Sequence, residues 1–215
     1  MENQIRLLLR LYIVIAVAFA GLLFIHPFQG SFILKPLPVL IMAYLCWRYL
    51  EGPERWLMML GFIFSAAGDV FLDLDRTAFF RQGLLSFLVT QILFTIAFLR
   101  KRRFSSPRLV AVSVVSIYSL IMIVLLWESL GDLLIPVLFY ILALSGMGVS
   151  AALREGPLAG VFVGAFLFVI ADSLIAINKF LVPFDYNLVL IIGLYLAGQF
   201  FIGKGVLETR TPATH

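Results

Sequence analysis

Apolar runs separated by short clusters of charge, Pro and Gly recur along the whole chain, with no alternation of the kind that marks a barrel strand. Eight stand out, at residues 5–25, 31–50, 56–74, 80–99, 108–128, 132–153, 157–178 and 185–205. Each is close to the ~20 residues that a helix needs to cross a hydrocarbon core of ~30 Å. A chain in lipid must satisfy its backbone polar groups internally, and uniformly apolar runs do so as helices. The pattern therefore predicts an all-α integral membrane protein, an eight-helix bundle folded as a single transmembrane domain over residues 1–215. The turns are short and no linker divides them. The first run follows Arg6 and Arg10 and ends in "FIHPFQG", which is not a small-residue cleavage site, so it reads as a retained span rather than a signal peptide.

Composition agrees with that reading. The chain is 62% hydrophobic and 13% charged, whereas a soluble domain is roughly half apolar. Its basic residues segregate. Arg6, Arg10, Arg48, Arg55, the five in "RKRRFSSPR", Arg154, Lys204 and Arg210 fall on one side; Lys35, Arg76, Arg81 and Lys179 fall on the other. Twelve against four places both termini in the cytoplasm and supports an even number of spans. The net charge of +4 follows from these flanking residues and gives no reason to expect a nucleic-acid partner. Cys46 is the single cysteine, and His26 and His215 are the only histidines, which excludes a disulfide and a multi-cysteine metal site. Short loops without a targeting extension point to a bacterial cytoplasmic (inner) membrane.

Two carboxylates interrupt the apolar pattern: Asp69 in "AAGDVFLDLD" and Asp172 in "GAFLFVIADSLIAINKF". A charge at mid-bilayer costs ~3 kcal/mol on insertion scales, and such groups face a bundle interior or a wet cavity. Asp69 lies thirteen residues beyond Trp56 and Asp172 fifteen beyond Pro157, so the two sit at similar depth in the non-cytoplasmic half. Helical spacing groups other polar residues with them. Ser65, Asp69 and Asp73 share a face at i, i+4 and i+8, while Asp73 and Asp75, near the exit of the span, are expected to be solvated. Asp172 and Lys179 share a face with Asn178 beside it, and Tyr195 and Gln199 form an i, i+4 pair. Gln91 and Tyr140 are central in spans four and six, and Lys35 opens span two. Together they predict a polar cavity. A weak internal repeat accompanies the pair: "EGP" opens both segments, and Gly61 and Gly164 each precede an Asp by eight residues. Halves 1–103 and 104–215 would then be two parallel four-helix repeats.

The residue inventory narrows the chemistry. With so little histidine, a zinc hydrolase lacks ligands, and there is no GxSxG elbow or Ser–His couple for an esterase. Two carboxylates can still act as an acid and base through an oxocarbenium ion, one protonated and the other ionised. The competing classes are a small proton-coupled transporter and a lipid-binding membrane protein with the acids as interhelical glue.

"KPLPVL", "SAAGDVFL", "GLLSFLVTQILFTIAF", Tyr140, "GAFLFVIADSLIAINKF" and "YLAGQFFI" occur in this order and cover nearly the whole chain. In these pieces the sequence resembles the YhhN-like family of integral membrane proteins, whose members include lysoplasmalogenases. It departs from the family where Gln91 stands in place of a usual His and where span eight reads Ala-Gly-Gln instead of Ala-Gln. The resemblance implies hydrolysis of the sn-1 vinyl ether of a lysoplasmalogen, without a cofactor or metal, with Asp69 and Asp172 as catalytic acids. Lys35 and Lys179 would meet the headgroup phosphate; Gln91, Tyr140, Asn178, Tyr195 and Gln199 would orient water and hydroxyls. The partners are then a lysophospholipid substrate and the surrounding membrane lipids, and the chain is compatible with a homodimer.

Overall fold

The computed structural model describes residues 2–25, 28–184 and 187–209; His26, Arg210 and His215 lie outside them. Nine α-helices follow in order: α1 (Glu2–Leu22), α2 (Ser31–Leu34), α3 (Leu37–Tyr49), α4 (Gly52–Leu74), α5 (Phe80–Leu99), α6 (Ser106–Leu126), α7 (Leu134–Leu153), α8 (Val161–Phe180) and α9 (Asn187–Glu208). Apart from one bridge pairing Arg102 with Arg154, the described residues hold no β structure. Helices α2 and α3 together make the second of eight helical segments that, among the described residues, are long and apolar enough to cross a membrane.

Local chemistry sets the boundaries. Gly52 and Pro53 form the first turn of α4, where the missing proline N–H would have been unpaired in any case, so this helix starts four residues before the expected span. Pro36 and Pro38 remove donors just after α2, yet Lys35 and Pro36 keep right-handed helical angles and the span continues. Asp75 ends α4 by accepting the backbone N–H groups of Thr77 at 2.8 Å and Ala78 at 2.9 Å. Those two donors hold its exposed carboxyl below the usual aspartate range.

Packing uses both bulk and its absence. Phe62, Phe94, Phe98, Phe168 and Met42 are fully buried in one core that runs through the bundle. Helices α8 and α9 meet backbone to backbone: a Cβ built on Gly164 would lie 2.6 Å from the carbonyl oxygen of Gly198. This crossing gives the extra glycine of Ala-Gly-Gln a purpose, since only glycine admits so close an approach. Gly61, the other glycine eight residues ahead of an aspartate, carries the ring of Phe94 against its Cα.

The two ends of the bundle differ in kind. Where α4, α5, α7 and α9 begin or end, Arg154 is fully buried and pairs with Glu54, which also binds Lys101 at 2.8 Å. Arg154 further donates to the carbonyl of Ala97 at 3.3 Å and to Thr209 at 3.3 Å. Arg108 donates to the carbonyls of Ala152 (3.1 Å), Arg154 and Gly156 (2.6 Å). Members of the basic run that sequence treats as a topology signal thus act as structural ties at this face. Lys35, Arg76, Arg81 and Lys179 lie at the opposite face, together with the aspartate pair.

Candidate active site

Asp69, on the last two turns of α4, and Asp172, in the second half of α8, line the same cavity of about 160 Å³. The side chain of Asp69 is 2% exposed and Asp172 is likewise buried. Each carboxylate has its own set of partners, and the sets differ in charge.

Asp69 faces a cation. The ammonium of Lys35, its side chain 5% exposed, lies 3.5 Å from one carboxylate oxygen, and the hydroxyl of Tyr195 donates to the other at 2.6 Å. Lys35 also lies 3.9 Å from Asp73, whose carboxyl is only 1% exposed. The expectation that Asp73 is solvated is therefore wrong. A buried ammonium between the turns of α4 draws both i, i+4 carboxylates inward. Asp75, two residues on, is exposed as expected.

Asp172 faces neutral donors. Tyr140 of α7 donates its hydroxyl at 2.5 Å and Gln91 of α5 its amide at 3.2 Å, both to the same oxygen. Three helices thus converge on one carboxyl. What Gln91 supplies is an N–H, which a neutral imidazole could also give.

Supporting residues follow the predicted faces. Ser65 lies 2.9 Å from the Tyr195 hydroxyl and accepts the amide of Gln199 at 2.5 Å, so the i, i+4 pair on α9 serves Asp69 through Tyr195 and Ser65. Gln199 supports this network from a turn below Tyr195 and does not itself line the cavity. Phe87, Phe168 and Tyr195 stack edge-to-face, with ring centroids 5.5–6.1 Å apart, and link the donor of Asp69 to the turn of α8 below Asp172. Asn178 lines the cavity and accepts the backbone N–H of Phe184 at 3.3 Å, which ties down the segment after α8. Lys179 lines the cavity with its ammonium 3.7 Å from the Phe80 ring centroid.

Sequence reasoning missed Arg76. It lies just beyond α4, is exposed, and lines the cavity with Asp69 and Asp172. Its only signal in the sequence was its place among four basic residues on the sparsely charged side. Lys35, by contrast, is a poor choice for a free anion because Asp69 and Asp73 already occupy it.

The bovine lysoplasmalogenase TMEM86A is 31% identical over 201 residues, covering 86% of this chain and 82% of the relative. The human lysoplasmalogenase TMEM86A is 29% identical over 206 residues, covering 88% and 83%. A lysoplasmalogenase of Mycobacterium bovis is 34% identical over 165 residues, covering 74% and 63%. No solved structure matches. Residues 30–206, which include every residue of the cavity, match the YhhN family, and the chain belongs to that family.

Proposed function

We propose that this protein is a lysoplasmalogenase that hydrolyses the sn-1 vinyl ether through its two aspartates. The products are a fatty aldehyde and glycerophosphoethanolamine or glycerophosphocholine. The observation that carries this reading is that two buried carboxylates line one small cavity with unlike company, a cation at Asp69 and neutral donors at Asp172.

Unlike company means unlike roles. A carboxyl buried in apolar helix with no cation in contact favours its neutral acid, whereas an adjacent ammonium favours the carboxylate. Asp172 is then the acid. It delivers its proton to the β-carbon of the vinyl ether, leaving an oxocarbenium ion. Asp69, kept ionised by Lys35, stabilises that cation and takes a proton from the attacking water. The hemiacetal hydroxyl gives its proton to the departing glycerol oxygen as it collapses to aldehyde and alcohol, and the proton that Asp69 took from water returns to Asp172, so that one water is consumed overall. Tyr140 and Gln91 hold the Asp172 carboxyl in place, and Tyr195 does the same for Asp69. The exposed cations at the cavity, Arg76 and Lys179, meet the headgroup phosphate.

The test is aldehyde release from 1-O-alkenyl lysophosphatidylethanolamine by protein purified in detergent. Positioned acid–base groups contribute about 10²–10⁴-fold, so Asp69→Asn and Asp172→Asn proteins that stay folded should each lose at least about a hundredfold. Full release by both variants overturns the mechanism, and no release by the unaltered protein overturns the activity.

A further inference from the structure

A second, larger space of about 470 Å³ lies beside the cavity, walled by α5, α6, α7 and α8. Leu88, Met122, Leu144 and Ala176, one from each helix, give it an apolar interior. Its outer wall is open: Leu85 is 61% exposed and Leu133 is 41% exposed, so the groove faces the bilayer sideways. Phe80, Asp172, Ile175 and Lys179 line both spaces, and Asp172 therefore stands on the wall between them.

Resting on the proposed activity, we infer that this groove holds the single hydrocarbon chain of a lysophospholipid, with the chain's first carbons at Asp172 and its headgroup in the smaller cavity. Two features select that occupant. From Leu133, just before α7, the groove reaches along that helix to Ser145, about 18 Å at 1.5 Å per residue. One leaflet of hydrocarbon is about 15 Å, half of the ~30 Å core, so the groove spans about one leaflet in depth, with Tyr140, the donor to Asp172, near its middle. Cations stand where the phosphate would be, with Arg81 on the groove, Arg76 on the cavity and Lys179 on both. A chain drawn from the leaflet would slide in past Leu85 and Leu133 and leave the same way as aldehyde.

The experiment measures binding, so it does not depend on cleavage. Saturated 1-O-alkyl lysophosphatidylethanolamines with decyl and hexadecyl chains cannot be cleaved as vinyl ethers. Their affinities would be compared for the unaltered protein and for Ala176→Trp and Leu88→Trp, which fill the groove from opposite walls. Each methylene denied burial costs about fourfold in affinity, from ~0.8 kcal/mol per methylene, so filling should erase the advantage of the hexadecyl chain by about tenfold or more. A hexadecyl probe with a diazirine at its far end, applied to the unaltered protein, should label α6 and α7 within the groove. An unchanged chain preference in both variants, or labelling spread over the lipid-facing surface, overturns the inference. Groove labelling without aldehyde release retires the reaction and keeps the groove. Aldehyde release with an unaltered chain preference retires the groove and keeps the reaction.

Discussion

Asp69 and Asp172 have the same side chain but differ in what neutralises them, and substitutions should separate the neighbours by the step they affect. Lys35 lines the cavity but is buried there against Asp69 and Asp73, as a paired cation. Lys35→Met should lower kcat by about a hundredfold, the scale of a lost acid–base partner, and leave KM nearly unchanged. Arg76→Ala should do the reverse, raising KM with kcat preserved, because Arg76 lines the cavity as an exposed cation beyond the end of α4. Steady-state kinetics on the two variants checks both, and a rise in KM for Lys35→Met would return Lys35 to the headgroup. Tyr140→Phe removes a hydrogen bond of 2.5 Å to Asp172. Asp172 becomes a carboxylate as it gives up its proton, and bonds to charged groups are worth about 1.5–3 kcal/mol, so kcat should drop about tenfold to a hundredfold. Readability at this scale was uneven. A carboxylate inside hydrocarbon is conspicuous because it costs so much, and helical spacing was enough to put Ser65, Asp69 and Asp73 on one face. The ion pair across α2 and α4 was not legible, because spacing within one helix says nothing about what the neighbouring helix presents. Arg76 was hidden for a related reason: it lies beyond a helix end, where no periodicity indicates a direction.

Whole spans were easier to read than their ends. Eight apolar runs became, among the described residues, eight helical segments long and apolar enough to span a membrane, since in lipid the backbone has few alternatives to a helix. The shifts occurred where a residue that looks like loop is tolerated in a first turn, as with Gly52 and Pro53 of α4, or where a helix continues past the expected span, as with Val206 to Glu208 of α9. The contact between α8 and α9 left only two traces in the sequence, Gly164 of the repeat and the extra glycine of Ala-Gly-Gln. Its backbone closeness at Gly164 and Gly198 carries a prediction about elements: Gly198→Val should push the helices apart and destabilise by about 1–3 kcal/mol, as overpacking does. A lower thermal midpoint in detergent would register it. Activity should fall with it, because Tyr195, the donor to Asp69, rides on α9 one turn from the wedge.

Across the whole molecule, chemistry and anchoring occupy opposite faces. The site face carries a cavity and a groove, while the other face carries the Glu54–Arg154–Lys101 cluster and the Arg108 contacts. Glu54→Ala would leave a fully buried guanidinium without its carboxylate, and removing one member of a buried pair costs about 3–5 kcal/mol. Chemical or thermal unfolding in detergent should show a loss of that order, with the residual protein keeping its KM.

That cluster also bears on how lipid travels. It stitches α4 and α5 from the first four passes to α7 and α9 from the last four. A carrier that works by tilting one half against the other would have to tear Arg154 from Glu54 on every cycle, in a setting where lone charges are ruinous. A protein riveted at that end is suited to standing still, taking its guest from the leaflet beside it and returning the pieces there, with no passage from one side of the membrane to the other.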